Sequence, residues 1–176
     1  MKLLMHTCCA PCSVMCIETL KQEGIKPVLY WYNPNIHPMK EFRLRKNTLT
    51  EYAASVGVKV LYEHDYGLRE FIEGVYPNFD DRCEFCYTDR LFKTAQFAAQ
   101  NGFDAFTSTL FISPYQNHEL MKEVAQKAAS EFGVEFLYRD FRPYFKEGQE
   151  KARELELYMQ KYCGCIFSEE DRYRKK

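Results

Sequence analysis

The sequence predicts a doubly wound, Rossmann-like α/β fold with a mainly parallel sheet of about five strands. Two observations predict it. Short β-rich apolar runs alternate with longer helical stretches along all 176 residues. That order builds a parallel sheet with helices on both faces. In addition, most of the segments rich in Cys, Pro, Asn or Arg follow strands. Sites in such folds lie beyond the strands' carboxyl ends.

The first strand is Lys2–His6, which runs into CCAPCS. Ser13–Glu23 has helical periodicity and is stopped by Gly24. Lys26–Tyr32 is a second strand, followed by the breaker-rich loop NPNIHP. Met39–Val56 is a charged amphipathic helix, and Val58–Tyr62 a third strand. Gly67–Gly74 is a short helix and Val75–Arg82 a loop. Cys83–Gln100 is a helix closed by Asn101-Gly102. Ala105–Leu110 is a fourth strand, Asn117–Phe132 a helix and Glu135–Tyr138 a fifth strand. Lys146–Lys161 is the last helix, followed by YCGC and a charged tail. The length fits one domain, 1–176, with no repeat or linker.

Composition narrows the function. No run approaches the ~20 apolar residues of a membrane span. MKLLMH lacks the apolar region of a secretory signal. A cytoplasmic protein is expected, where close cysteines bind metals or do chemistry rather than form disulfides. A net charge of −1 argues against non-specific coating of nucleic acid. The 14 Phe and 13 Tyr are read first as an aromatic core.

Eight cysteines fall in three tight groups: Cys8, Cys9, Cys12 and Cys16; Cys83 and Cys86; Cys163 and Cys165. Cys83-x-x-Cys86 opens a helix, whose dipole favours thiolates. Gly164 lets the backbone turn sharply between the last pair. Adjacent Cys8 and Cys9 suit two neighbouring metal centres better than one. Seven or eight thiols exceed the four ligands of a tetrahedral zinc, and soft thiolates also select iron–sulfur clusters. Two plainer readings compete: a structural zinc site with buried thiols, and a redox dithiol at Cys83/Cys86. Cys16, among apolar neighbours, reads as core.

Six motifs then occur in order between residues 3 and 168: LLMHTCCAPCS, WYNPNIHPMKEFRLR, RCEFCYTDRL, FTSTLFISPYQNHE, YRDFRP and YMQKYCGCIFS. Together they closely resemble the QueH-type epoxyqueuosine reductases. Cys16 lies outside that pattern. The chain also looks remotely like PP-loop (HUP-like) nucleotide hydrolases, but CCAPCS replaces their Ser-Gly-Gly phosphate loop, so no ATP site is assigned.

The resemblance implies a cobalamin-independent, two-electron deoxygenation of epoxyqueuosine to queuosine at the tRNA wobble position. It implies a [4Fe–4S] cluster with an additional iron ion nearby, a tRNA partner and an electron donor. On that basis Cys83, Cys86, one of Cys163/Cys165 and one of Cys8/Cys9 are expected to hold the cluster. The remaining members of those pairs would hold the iron, with Cys12 an uncertain seventh. Asp140 or Asp81 is expected in the iron's shell; otherwise Asp140 pairs with Arg142. Tyr115, His118, His37 and Tyr32 are the candidate proton donors. Asn33, Asn35 and Ser113 are candidates to bind the cyclopentane diol or base, and Phe111 or Tyr115 to stack on it. Phosphate contacts are sought at Arg43, Arg45 and Lys46, at Arg82 and Arg90, at Arg139, Arg142 and Lys146, and at Arg172, Arg174, Lys175 and Lys176. The alternatives are a non-catalytic zinc-binding RNA-binding protein and a PP-loop-like tRNA sulfur-transfer enzyme.

Overall fold

The computed structural model describes residues 1–63 and 66–174. Five strands form one parallel sheet: β1 (Leu3–His6), β2 (Val28–Trp31), β3 (Val60–Tyr62), β4 (Ala105–Ser108) and β5 (Glu135–Phe136). Their spatial order is β3-β2-β1-β4-β5. The chain therefore winds outward in one direction from β1, then crosses back to β4 on its other side. His6 lies opposite Tyr30 on β2 and Ser108 on β4. Leu3, Leu4 and Met5 are fully buried, as expected of a central strand covered on both faces.

Among the described residues, seven α-helices complete the fold: α1 (Ala10–Gln22), α2 (Met39–Ser55), α3 (Leu68–Val75), α4 (Arg82–Gln100), α5 (His118–Phe132), α6 (Phe145–Glu154) and α7 (Ile166–Tyr173). α1 packs with α2 and α6, whereas α4 packs with α5. Right-handed crossovers on either side of β1 put these groups on opposite faces of the sheet.

The ends of several elements differ from the expectation, for local physical reasons. α1 begins at Ala10 because Cys9 is its N-cap, its sulfur accepting the Cys12 N–H at 3.4 Å. Pro11 fits the first turn, where its missing N–H costs nothing. β4 stops at Ser108, whose hydroxyl caps a 3₁₀ turn at Thr109–Ile112. β5 ends at Phe136, although the Leu137 N–H still reaches the Phe106 carbonyl at 2.9 Å.

The largest departure is the last expected helix. α6 ends at Glu154 and Glu156 takes a left-handed φ of 55°. Stretch 155–165 then returns without regular structure beneath α7, itself capped by the Cys165 sulfur. The helix ends in a local turn, with the Glu156 N–H on the Arg153 carbonyl at 3.0 Å and the Leu157 N–H on the Ala152 carbonyl at 2.9 Å. Further on, the Arg45 guanidinium takes the Cys163 and Tyr162 carbonyls at 2.7 and 2.9 Å and holds the stretch in place. Gly164 sits at a bend, as expected, and also allows close approach. A Cβ there would lie 3.3 Å from Asn35 Nδ2 and 3.5 Å from Arg45 Nη1.

α3 is held against the start of α4 by Phe85, which reaches over Gly74. A Cβ on Gly74 would stand 2.0 Å from the ring. Gly74→Ala should therefore displace Phe85 and the adjacent Cys83 and Cys86, costing about 1–3 kcal/mol as overpacking does. Thermal unfolding together with metal uptake checks this: both should fall.

Candidate metal and thiol site

The carboxyl ends of β1, β2 and β4 are tied by one buried histidine. His6 Nδ1 meets Ser108 Oγ at 3.0 Å; Nε2 meets the Tyr32 carbonyl and Asn33 Oδ1, both at 3.1 Å. Asn33 Nδ2 continues to the Thr7 carbonyl at 2.9 Å. Burial, then the nearby Arg90 charge, lower the His6 pKa to about 4, so the ring is neutral. This network fixes the exit of β1 into CCAPC, at the point where the strand order reverses.

Cys8, Cys9 and Cys12 there form a tight group, with sulfurs within 4.8 Å of one another. Cys8 and Cys9 Sγ are 3.8 Å apart. Two thiolates on one tetrahedral ion, with metal–sulfur bonds of about 2.3 Å, stand about that far apart. The Cys12 and Cys9 thiols donate toward Cys8 and hold it well below the ordinary thiol range. Cys9 is pushed up by burial, and Cys12 by the sulfurs of Cys8 and Cys9. Gln160, from stretch 155–165, donates Nε2–H to Cys9 Sγ at 2.9 Å and to Cys12 Sγ at 3.6 Å.

The other four thiols line a separate cavity of about 50 Å³, bounded by Cys83, Cys86, Cys163 and Cys165 with Asn35, Arg90 and Gln116 among its walls. Cys83 and Cys163 are exposed; Cys86 and Cys165 are buried. Burial pushes the Cys86 thiol up to about 12, and the Arg90 charge opposes it. Gln116 Nε2 donates to Cys163 Sγ at 3.2 Å, and its carbonyl accepts from Tyr87 Oη at 2.6 Å. Buried polar atoms are normally paired. Yet Asn35 Oδ1 and Arg82 Nε, in the wall of this cavity, and Gln160 Oε1, beside Cys9 and Cys12, have no partner among the described residues. Such orphans suit a site built to receive a ligand.

The thiols therefore group as three plus four. Cys12 joins the first group. Cys16 is fully buried and donates to the Cys12 carbonyl at 3.2 Å, so it packs in the core.

Other candidates scatter. Phe111 is fully buried against His118, Phe136 and Tyr138, so no base can stack on it. His118 is buried and engaged to Tyr138 Oη at 2.9 Å. His37 is buried, with Nε2 on the Pro34 carbonyl at 2.8 Å and Nδ1 accepting the Ile166 N–H at 3.2 Å. Both nitrogens are occupied, so it joins α7 to the loop after β2 rather than donating protons. Tyr32 Oη contacts Asp89 at 3.2 Å and is pushed up first by burial. Asp140 is forked onto Arg142 at 2.7 and 2.8 Å; that contact lowers its pKa to about 2 and makes it a partner of Arg142. Asp81 is exposed at the N-cap of α4 and makes no capping bond. Asn33 is consumed by the His6 network, whereas Asn35 keeps its free oxygen toward the cavity. Ser113 Oγ accepts the Tyr115 N–H at 3.2 Å, and Tyr115 is 85% exposed, edge-on to Phe145.

The expected phosphate contacts shrink. Arg45 and Arg90 are buried. Arg82, Arg139, Arg142 and Arg174 are paired with Asp171, Glu23, Asp140 and Glu170. Lys46 is half-buried, over the Tyr62 ring. Arg43, Lys146 and Arg172 are exposed without an ion pair among the described residues. Lys175 and Lys176 lie outside them.

Comparison with known proteins gives the family. A family model described as epoxyqueuosine reductase QueH matches residues 3–171. The chain belongs to the epoxyqueuosine reductase QueH family. Proteins of that name from Dehalococcoides mccartyi, Histophilus somni and Thermotoga maritima are 39%, 34% and 32% identical to it. The alignments cover 99%, 97% and 98% of this chain and 96%, 73% and 92% of theirs. A solved structure described as a predicted subunit of tRNA methyltransferase, from Methanocaldococcus jannaschii, shares the fold, with a TM-score of 0.54. It is 13% identical, covering 94% of both chains.

The residues missed by sequence reasoning are Gln116 and Gln160, the amide donors to sulfur. Gln160 falls in the YMQKYCGC motif, three residues before Cys163. Its place in a helical pattern hid it.

Two measurements follow. Gln160→Leu removes the donor to Cys9 and should weaken metal retention about 10–100-fold, as loss of an outer partner does; a chelator competition reads this. His37 is held at about 4 against an ordinary 6.5. Its unfolded form takes up a proton first as the pH drops, so its contribution is complete above pH 6.5 and lost toward pH 4. The loss is about 3 kcal/mol. His6 acts with the same sign. Denaturant unfolding of His37→Gln across this window should show a shallower slope than wild type, with His6 and His118 supplying the remainder.

Proposed function

We propose that the protein is an epoxyqueuosine reductase acting on tRNA, with 1–176 as one catalytic domain in the cytoplasm. The epoxide oxygen leaves as water with two electrons and two protons, and the cyclopentane ring becomes a cyclopentene. The observation that carries this reading is the gathering of seven thiols from three distant segments at one sheet edge.

The donor chemistry fits the metals. The four wider-set thiols of Cys83, Cys86, Cys163 and Cys165 suit a [4Fe–4S] cluster. Cys8, Cys9 and Cys12 suit one additional iron ion. When bound, these groups supply electrons one at a time and a Lewis acid for the epoxide oxygen.

The chain's own residues do the rest. Exposed Cys83 and Cys163 place the cavity at the surface, where a nucleoside taken out of the anticodon stack can reach it. The free Asn35 oxygen accepts a hydroxyl of the ring diol. Tyr115, exposed beside Gln116, stacks on the extruded base and brings a phenol as proton source. Gln160 and Gln116 orient the sulfurs by donating to them. Arg43, Lys146 and Arg172 touch phosphate. So few contacts give a shallow dependence of tRNA affinity on salt. Among the described residues no helix is long and apolar enough to cross a membrane.

The test is an anaerobic assay of iron-reconstituted protein on tRNA carrying epoxyqueuosine, with a chemical reductant in place of the donor. Nucleoside analysis should show queuosine. Cys83→Ser and Cys163→Ser should each lower iron content and turnover, the latter about 100-fold or more. A fully loaded protein that forms no queuosine sinks the reading.

A further inference from the structure

Arg90 is a cation in the wrong place for a surface role. It lies on α4 one turn after Cys86 and is only 2% exposed. Among the described residues it forms no ion pair with a carboxylate, unlike buried Arg45, which has Glu41 at 2.7 Å. A buried charge without compensation is strongly unfavourable. Its compensation is sulfur. Nη2 donates to Cys86 Sγ at 3.1 Å, and Nε to the Cys86 carbonyl at 3.1 Å. Its charge also acts on Cys163, in the four-thiol cavity, and on Cys8, in the three-thiol group.

We propose that Arg90 is the fixed counter-charge of the thiolate site and sets the reduction potential of the iron–sulfur group held there. This rests on the function proposed above. An added electron makes such a group more negative. A cation already hydrogen-bonded to one of its sulfurs stabilises the reduced form, the more so in a low-dielectric interior. The sequence builds the arrangement locally: positions 86 and 90 share a helix face. Arginine suits the task because its fork spans the sulfur and the carbonyl together, which a single ammonium cannot. Gln116 on Cys163 acts in the same direction without a charge, and so more weakly. Arg90 is thus a positioning and tuning residue that touches neither tRNA nor epoxide.

The experiment is an anaerobic redox titration, followed by electron paramagnetic resonance, of the reconstituted wild type, Arg90→Gln and Arg90→Lys. Arg90→Gln should make one-electron reduction at least tenfold less favourable, a midpoint lower by 59 mV or more. Arg90→Lys keeps the charge and should stay within about threefold of wild type. A folded, loaded Arg90→Gln at the wild-type midpoint overturns the proposal. If Arg90→Gln does not fold, Arg90→Lys decides: a midpoint within threefold of wild type supports the fixed charge, and a larger drop overturns it. A wild-type chain that takes up no iron fails the proposed function itself. A loaded wild type with an unshifted Arg90→Gln fails this inference alone.

Discussion

The guanidinium of Arg45, buried under the loop after β2, bonds on one side to Glu41 and on the other to two carbonyls of stretch 155–165. Tyr158 completes the set by donating to the second Glu41 oxygen at 2.6 Å. Taking an ion pair out of water is costly unless every lone pair and proton finds a partner. Here two of the partners are carbonyls of a backbone segment without regular structure. The two halves need each other: the segment has no ladder to hold it, and the ion pair has no water. Cys163, Cys165 and Gln160 reach the other thiols because this exchange holds their segment in place.

Sheet topology supplies the remaining thiols. All five strands are parallel, so their carboxyl ends share one edge. Cys8 and Cys9 leave the central strand at the point where the winding reverses. Cys83 and Cys86 arrive on the first turn of the helix that crosses to β4. His6 fixes three strand ends with a single neutral ring. Each thiol group is thus held by backbone of a different kind: a strand end, a helix start and a clamped strap. Each group also receives a side-chain N–H, from Gln160, Arg90 or Gln116.

The sheet, its parallel sense and the convergence of the cysteines were legible in the sequence because they rest on local signals. Alternating apolar patterns mark strands and helices, and cysteine spacing survives whatever the tertiary fold does. What stayed hidden depends on tertiary partners. Arg45 sits in FRLRK, and nothing local separates it from exposed Arg43 two positions away. Arg90 looks like any charge on an amphipathic helix until Cys86 is seen beside it. The helical pattern of 146–161 is real up to Glu154, and the left-handed turn at Glu156 ends it. Phe111 was placed at an edge loop, but Ser108 turns that loop inward. The two glutamines carried no signal beyond membership of a motif.

The strap 155–165 also bears on how the protein comes to be complete. Its backbone bonds outward, to Arg45 and to the His37 N–H, rather than to itself. Its order therefore rests on a few anchors, and losing them would leave Arg45 buried without those partners. Ions gripped by sulfurs from the strap and from α4 would close a loop of some eighty residues, removing freedom much as a covalent cross-link does. A metal bound there would couple its own delivery to the ordering of the strap. Amide hydrogen exchange would register it as protection gained in the strap alone.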